Sequence, residues 1–215
     1  MKIEIGKERP ACYQEIYPGA FDIFSHFEFA SAIPHVLFAV TTLKENGKPN
    51  VNYHSWSCFQ GDNGGFFAIL AGIYQHTHTY ANLKRSGEFC VNFLSLKYMD
   101  NLNATIAQNG IEDDEFLVGG FTAERALSVN VPRIKESFLS LECKVTQITD
   151  LSHAGTTALV IGKVQNIVVD SEYAGDMQKR YSEDGFMLLA HSPFNYEKNE
   201  YNKTMTATLK LQRET

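Results

Sequence analysis

"HVLFAVTTLKENGKPNVNYHSWSCF", residues 35 to 59, sets two β-rich runs on either side of one turn signal. The first, 35 to 43, ends where Lys44, Asn46, Gly47 and Pro49 collect, and such a cluster breaks a strand and reverses the chain. The second follows at once as "NVNYHSWSCF", 50 to 59, so the pair reads as a hairpin. A second turn, "GDNGG" at 61 to 65, leads into "FFAILAGI", 66 to 73. Three strands in succession before any helix point to an antiparallel β architecture.

Beyond them, "THTYANLKRSG" reads as a hydroxyl cap, a short helix opening near Thr79 with cations toward its end, and Gly87 as the stop. "EFCVNFLSL" (88 to 96) is a further strand, and "YMDNLNATIAQNG" (98 to 110) a helix closing on Gly110. The acidic stretch 111 to 134 reads as a partly helical excursion. In "SFLSLECKVTQITDL", 137 to 151, Leu139, Leu141, Cys143 and Val145 alternate with polar residues, the period of a half-buried strand. "HAG" turns the chain into a return strand at 156 to 170, whose Gly162 marks a bulge or a close backbone approach. The tail from Ser171 carries a short helix and a polar, Tyr-rich end. The expected class is mainly β with α additions, a β-barrel in one domain spanning 1 to 215.

The bulk properties narrow the function. Hydrophobic residues make up 44% and charged residues 20%, an ordinary globular composition with no disordered tract. A net charge of −6 gives no broad attraction to nucleic acid or to anionic membrane. No apolar run nears the roughly 18 residues of a membrane helix, and the start has no secretory h-region, so a cytoplasmic protein is expected. Cys12, Cys58, Cys90 and Cys143 stand singly, without a C-x-x-C pair. Cys90 and Cys143 fall in apolar strand patterns, where a thiol acts as a small hydrophobe. There is no G-x-G-x-x-G and no Walker sequence.

The polar concentration lies at "YQHTHTYANLKRSG", 74 to 87. Unpaired N–H groups and the positive dipole end make a helix start there a phosphate site. Thr77 and Thr79 offer hydroxyls, the N–H groups from Tyr80 to Asn82 a cradle, and Lys84 or Arg85 charge. "YHSWS" sets aromatic surface beside small hydroxyl residues; on a continuous strand His54 and Trp56 share one face, Ser55 and Ser57 the other. Each feature also has a plain reading: Thr79 and Asn82 as a cap, His54 as a hydrogen-bonded core residue, the ring of Trp56 as packing. A cupin-like metal barrel using His76 and His78 on a strand is an alternative, although the first carboxylate after them is Glu88, beyond the helix. A non-catalytic structural barrel is a third.

The order of these signals, from about Pro34 to Asp170, resembles the flavin reductase-like family, including flavoredoxins, with its FMN-binding split β-barrel. The resemblance rests on a strand ending Thr41-Thr42, Asn50 after Pro49, Ser55-Trp56, then Thr79-x-x-Asn82 before Gly87-Glu88-Phe89. It implies a homodimer with FMN near the subunit interface. The phosphate is then held by Thr77 through Asn82 and the isoalloxazine ring lies along Asn52 through Ser57. Many relatives carry Ser or Arg where this chain has Gln75, His76 and His78, which makes imidazole a candidate phosphate contact. The cofactor set is thus Asn52, His54, Ser55, Trp56, Ser57, Thr77, His78, Thr79, Asn82 and Lys84, with no catalytic side chain, because flavin carries the redox chemistry. NAD(P)H or a reduced electron carrier is the expected partner, with "HSPFNYEKNEYNK", 191 to 203, as a candidate cover over the open ring face.

Overall fold

The computed structural model describes residues 2–211. Two short helices, α1 (Ala20–Ile23) and α2 (His26–Ser31), precede the strands β1 (His35–Leu43), β2 (Pro49–His54), β3 (Ser57–Asp62) and β4 (Gly65–Tyr74). Then come α3 (His78–Ser86), β5 (Glu88–Phe93) and, after a 3-10 turn at Leu96–Tyr98, α4 (Met99–Ala107) and α5 (Glu115–Gly119). The two-residue strands β6 (Ala123–Glu124) and β7 (Arg133–Ile134) lead to β8 (Leu139–Thr149) and β9 (Thr157–Val169). The C-terminal part contains α6 (Ser171–Gly175), a 3-10 turn at Met177–Tyr181, β10 (Met187–Ala190), β11 (Phe194–Asn195), β12 (Glu200–Tyr201) and β13 (Met205–Thr208).

One sheet carries the order β13-β10-β1-β5-β8-β9-β4-β3, and β2 pairs with β1 as well. Its inner face buries Phe38, Val40, Leu70, Phe89, Val91, Leu141 and Val160 in a single apolar core. A second cluster, with Leu37, Leu102, Phe116 and Ile134, seats α4 and α5 against β1 and β2. Cys90 and Cys143 are fully buried, and burial followed by the nearby Glu142 carboxylate pushes the Cys90 thiol up to about 12, a small hydrophobe and no nucleophile. Gly162 is a close-approach position. A Cβ there would lie 2.3 Å from Cζ of Phe89, and the β8–β9 register shifts beside it, between Val145 and Gln147.

The first hairpin differs from its sequence reading. Residues 50 to 59 are not one strand: β2 pairs with β1 from Phe38↔His54 to Leu43↔Pro49, while β3 leaves to pair with β4. The break falls at Ser55 and Trp56, where the Trp56 carbonyl accepts the Ala71 N–H at 2.9 Å and lies 3.0 Å from His54 Nε2. The two-face parity assigned to His54 through Ser57 therefore does not hold. The split lets the chain pass from the β1 edge to the β4 edge, its first half closing the β1–β2 hairpin and its second half opening the β3–β4 hairpin.

Two helix boundaries shift. The α3 helix starts at His78 with Thr77 as its cap, and α4 closes at Ala107 because Gly110 N–H donates to Asp113 Oδ2 at 2.7 Å in a separate turn. The tail is more regular than its polarity indicates. The strand β10 extends the sheet at His35↔Leu189 to Leu37↔Met187, with β13 beyond it. The segment proposed as a cover forms the β11–β12 hairpin, whose Phe194 stacks on Tyr13 with centroids 4.1 Å apart. It packs on the N-terminal segment in an aromatic cluster with Phe24 and Phe29, and Trp56 and Tyr74 border that cluster.

Candidate functional site

The start of α3 is built by its own chain. Thr77 Oγ1 accepts the Tyr80 N–H at 3.3 Å and donates to the Tyr74 carbonyl at 2.8 Å, fixing the turn before the helix. The Ala81 N–H donates to the Thr77 carbonyl. Among the described hydrogen bonds none uses the His78 or Thr79 N–H, so these two are the free donors of the first turn.

The helix is held in place by side chains reaching from the hairpin. Asn50 Nδ2 donates to Thr79 Oγ1 at 3.0 Å, and Asn82 Nδ2 donates to Thr42 Oγ1 at 3.0 Å, both fully inside the protein. Buried amide–hydroxyl pairs of this kind are directional, so they set the rotation of α3 about its axis.

The free donors open onto a pocket of about 300 Å³ lined by Asn50, Asn52, His76, His78, Thr79 and Glu115, among others. Glu115 in its wall belongs to an ion pair without solvent access. Lys44 Nζ lies 2.8 Å from Glu115 Oε1 and donates to the carbonyls of Gly110 at 2.7 Å and Asp113 at 2.9 Å. Glu115 Oε2 accepts the Val51 N–H at 2.5 Å. Burial pushes the Glu115 carboxyl above the usual carboxylate range, and Lys44, Val51 and His78 offset part of that rise.

Four of the ten sequence-chosen residues meet in this pocket: Asn52, Thr77, His78 and Thr79. Thr77 contributes as a cap whose hydroxyl is already engaged. Asn82 is turned to Thr42 and does not line the pocket. Lys84 lies over the Tyr80 ring at 5.4 Å and is likewise outside it. His54, Ser55, Trp56 and Ser57 sit at the strand break to one side. Burial lowers the His54 imidazole to about 4, so it is neutral and donates from Nε2 to the Trp56 carbonyl. Its work is to hold the break.

Lys44 and Glu115 were not singled out from the sequence. Lys44 stands in a turn signal and Glu115 in an acidic run, two contexts that normally mean solvent. His76 and His78 do not share a strand face: His76 lies in the turn and stacks on Tyr74 with centroids 5.8 Å apart, while His78 begins α3. Among the described residues no group of three or more His, Cys, Asp or Glu side chains is placed to hold a metal ion.

An antiparallel barrel open between β2 and β3, with a helix start beside the divided strand, defines a split β-barrel class. The chain belongs to that class by sequence: residues 30–203 match the flavin reductase like domain, and the protein is a member of that family. The match runs past the 34 to 170 stretch on both sides and takes in β10 to β12. A protein of Aquifex aeolicus described only as uncharacterized is 31% identical over 153 residues, 68% of this chain and 78% of that one. Among solved structures, nitrilotriacetate monooxygenase component B from Bacillus cereus superposes with a TM-score of 0.71 at 16% identity, covering 99% of this chain and all of that one. Flavoredoxin from Methanosarcina acetivorans gives 0.69 at 18% identity over 100% and 95%. At these identities the two structures speak for the fold alone. No helix among the described residues is long and apolar enough to cross a membrane.

Proposed function

We propose that the chain is an FMN-binding flavoprotein that takes electrons from NAD(P)H or a reduced carrier and passes them to flavin or another acceptor. The observation that carries this reading is the pair of free N–H groups at His78 and Thr79, opening beside two imidazoles and the Thr79 hydroxyl onto one pocket. That donor set suits a phosphate, and Asn50 and Asn52 along the same wall suit a ribityl chain. When bound, FMN supplies the electron storage, and the protein supplies binding and orientation. His78 and Thr79 hold the phosphate end, Asn52 orients the chain leading from it, and the Ser55–Trp56 break presents backbone and ring surface beyond.

A pocket of about 300 Å³ stands at the low end of the range for cofactor sites, roughly 300–1,000 Å³. It encloses one end of such a ligand and leaves the rest to another surface. A second copy fits that need, and the homodimer follows as part of the proposal. Flavin fluorescence titration tests the reading: FMN is quenched at one equivalent per chain, and riboflavin, lacking phosphate, binds at least about tenfold more weakly, a difference of about 1.4 kcal/mol. Equal affinity for the two flavins, or none for either, overturns it. Anaerobic addition of NADH or NADPH, watching the flavin band bleach, identifies the donor, and sedimentation with and without FMN tests the dimer.

A further inference from the structure

A second pocket, of about 200 Å³, is lined in part by Tyr74, whose ring stacks on His76 of the α3 site. Its walls include Phe24, Trp56, Tyr74, Gly72 and Glu28. The rings stand at angles to one another. Phe24 and Trp56 are 5.9 Å apart and tilted by 36°, and Phe24 and Tyr74 are 6.4 Å apart and nearly perpendicular at 78°. Gly72 is required here: its φ of +68° is left-handed, and a Cβ would meet Trp56 Cε3 at 3.3 Å.

The one formal charge in this wall is Glu28. Its Oε2 is sealed from solvent and has no hydrogen-bond partner, and its Oε1 accepts only a long contact, 3.4 Å, from the Ser25 N–H. No ion pair among the described residues includes it. A desolvated carboxylate without a cation is costly, and its cost falls when a positive charge enters beside it. The His191 imidazole, which packs on Phe24 at 4.6 Å, does not supply one, because burial lowers it toward its neutral form.

We infer that this pocket is a binding site for a small quaternary ammonium group, seated among the faces of Phe24, Trp56 and Tyr74 with Glu28 as counter-charge. A methylated ammonium is weakly hydrated, so it leaves water readily and gains from ring faces set at angles around it. A metal ion would demand several ligands, and among the described residues no group of three or more His, Cys, Asp or Glu side chains is placed to hold one. The inference does not rest on the flavin reading, although Trp56 borders both proposed surfaces and the Tyr74–His76 stack joins the two pockets through one pair of rings.

The single tryptophan makes the site readable in the full chain. Choline is compared with its uncharged carbon isostere, 3,3-dimethylbutan-1-ol, at constant ionic strength. Choline is expected to change Trp56 emission saturably and to bind at least about tenfold more tightly than the isostere. Glu28→Gln keeps the size and the acceptor for Ser25, and should reduce choline affinity about tenfold while leaving the isostere unchanged. Tyr74→Leu should weaken choline by removing one ring, read by calorimetry. No saturable response to choline, or equal affinity for choline and the isostere, overturns the inference. That comparison uses the unaltered chain, so it stands even where a variant fails to fold.

Discussion

Two buried glutamates pin the two ends of the excursion between α4 and β8, and their environments drive them in opposite directions. Glu142, on β8, accepts the N–H groups of Leu127 at 3.0 Å and Ser128 at 2.6 Å and pairs with Arg133 at 2.9 Å. Burial alone would raise its carboxyl, but these bonds outweigh it, and the group lies below the usual carboxylate range. Glu115, on α5, has one N–H donor and one ammonium, and burial wins. The difference teaches that one ammonium and one N–H donor do not outweigh the burial of Glu115, whereas a guanidinium and two N–H donors outweigh that of Glu142. Glu142 is a clamp for the segment 125 to 133. Glu115 stands in the wall of the proposed phosphate pocket, where the Lys44 ammonium 2.8 Å away offsets the repulsion its carboxylate would exert on an anion.

The largest expected effect comes from breaking the stronger clamp. Glu142→Ala leaves Arg133 and two N–H groups without their acceptor inside the protein, and should cost about 3–5 kcal/mol of stability. Urea unfolding measures it, and a loss below about 1 kcal/mol would show that the clamp is redundant with the Arg133–Glu124 contact at 3.0 Å.

The second experiment asks whether Glu115 is the softer of the two. Lys44→Met strands a carboxyl that is already raised and can take up a proton, so the cost should be smaller, roughly 2–3 kcal/mol. Lys44→Met combined with Glu115→Leu should recover most of that, since replacing a buried pair by apolar groups is often close to neutral. A double variant as unstable as the sum of its parts would contradict this account.

Protonation sharpens the same contrast. Glu142, with a lowered folded value, contributes stability that is complete above the unfolded carboxylate value of about 4.3 and is lost as pH falls through the folded value. Glu115, with a raised folded value, has the opposite sign: its cost is absent below about 4.3 and grows as pH rises through its folded value. Urea midpoints followed from neutral pH downward should show Glu115→Gln flattening the upper part of the profile and Glu142→Gln removing the acid limb. Two variants with the same profile would end the distinction.

The smallest effects concern α3. Thr79→Ala and Asn82→Ala each remove one buried hydrogen bond and should each cost about 1 kcal/mol of stability. Only Thr79→Ala should narrow the preference for FMN over riboflavin, because Asn82 faces Thr42 and not the pocket. Paired flavin titrations on the two variants check this.

The sequence by itself determined the mainly β class, the turns that end β1 and β3, a hydroxyl-opened helix near Thr79 and the family. These rest on local physics: alternation along a strand, Gly and Asn where the chain must reverse, a hydroxyl before a helix. It also determined that the polar residues at 76 to 79 belong to one place, since a helix start brings them there without help from elsewhere. Tertiary structure alone decided that the second strand divides at Ser55 and Trp56, because β1 and β4 compete for its two halves. It alone turned Asn82 inward to Thr42, and it buried Lys44 from a turn against Glu115 from an acidic run. It alone made strands of a polar tail, because β10 finds the free edge of β1 at His35 to Leu37. In the last three cases the deciding partner lies 40 or more residues away, and a residue's own neighbours in the chain cannot report what will desolvate it.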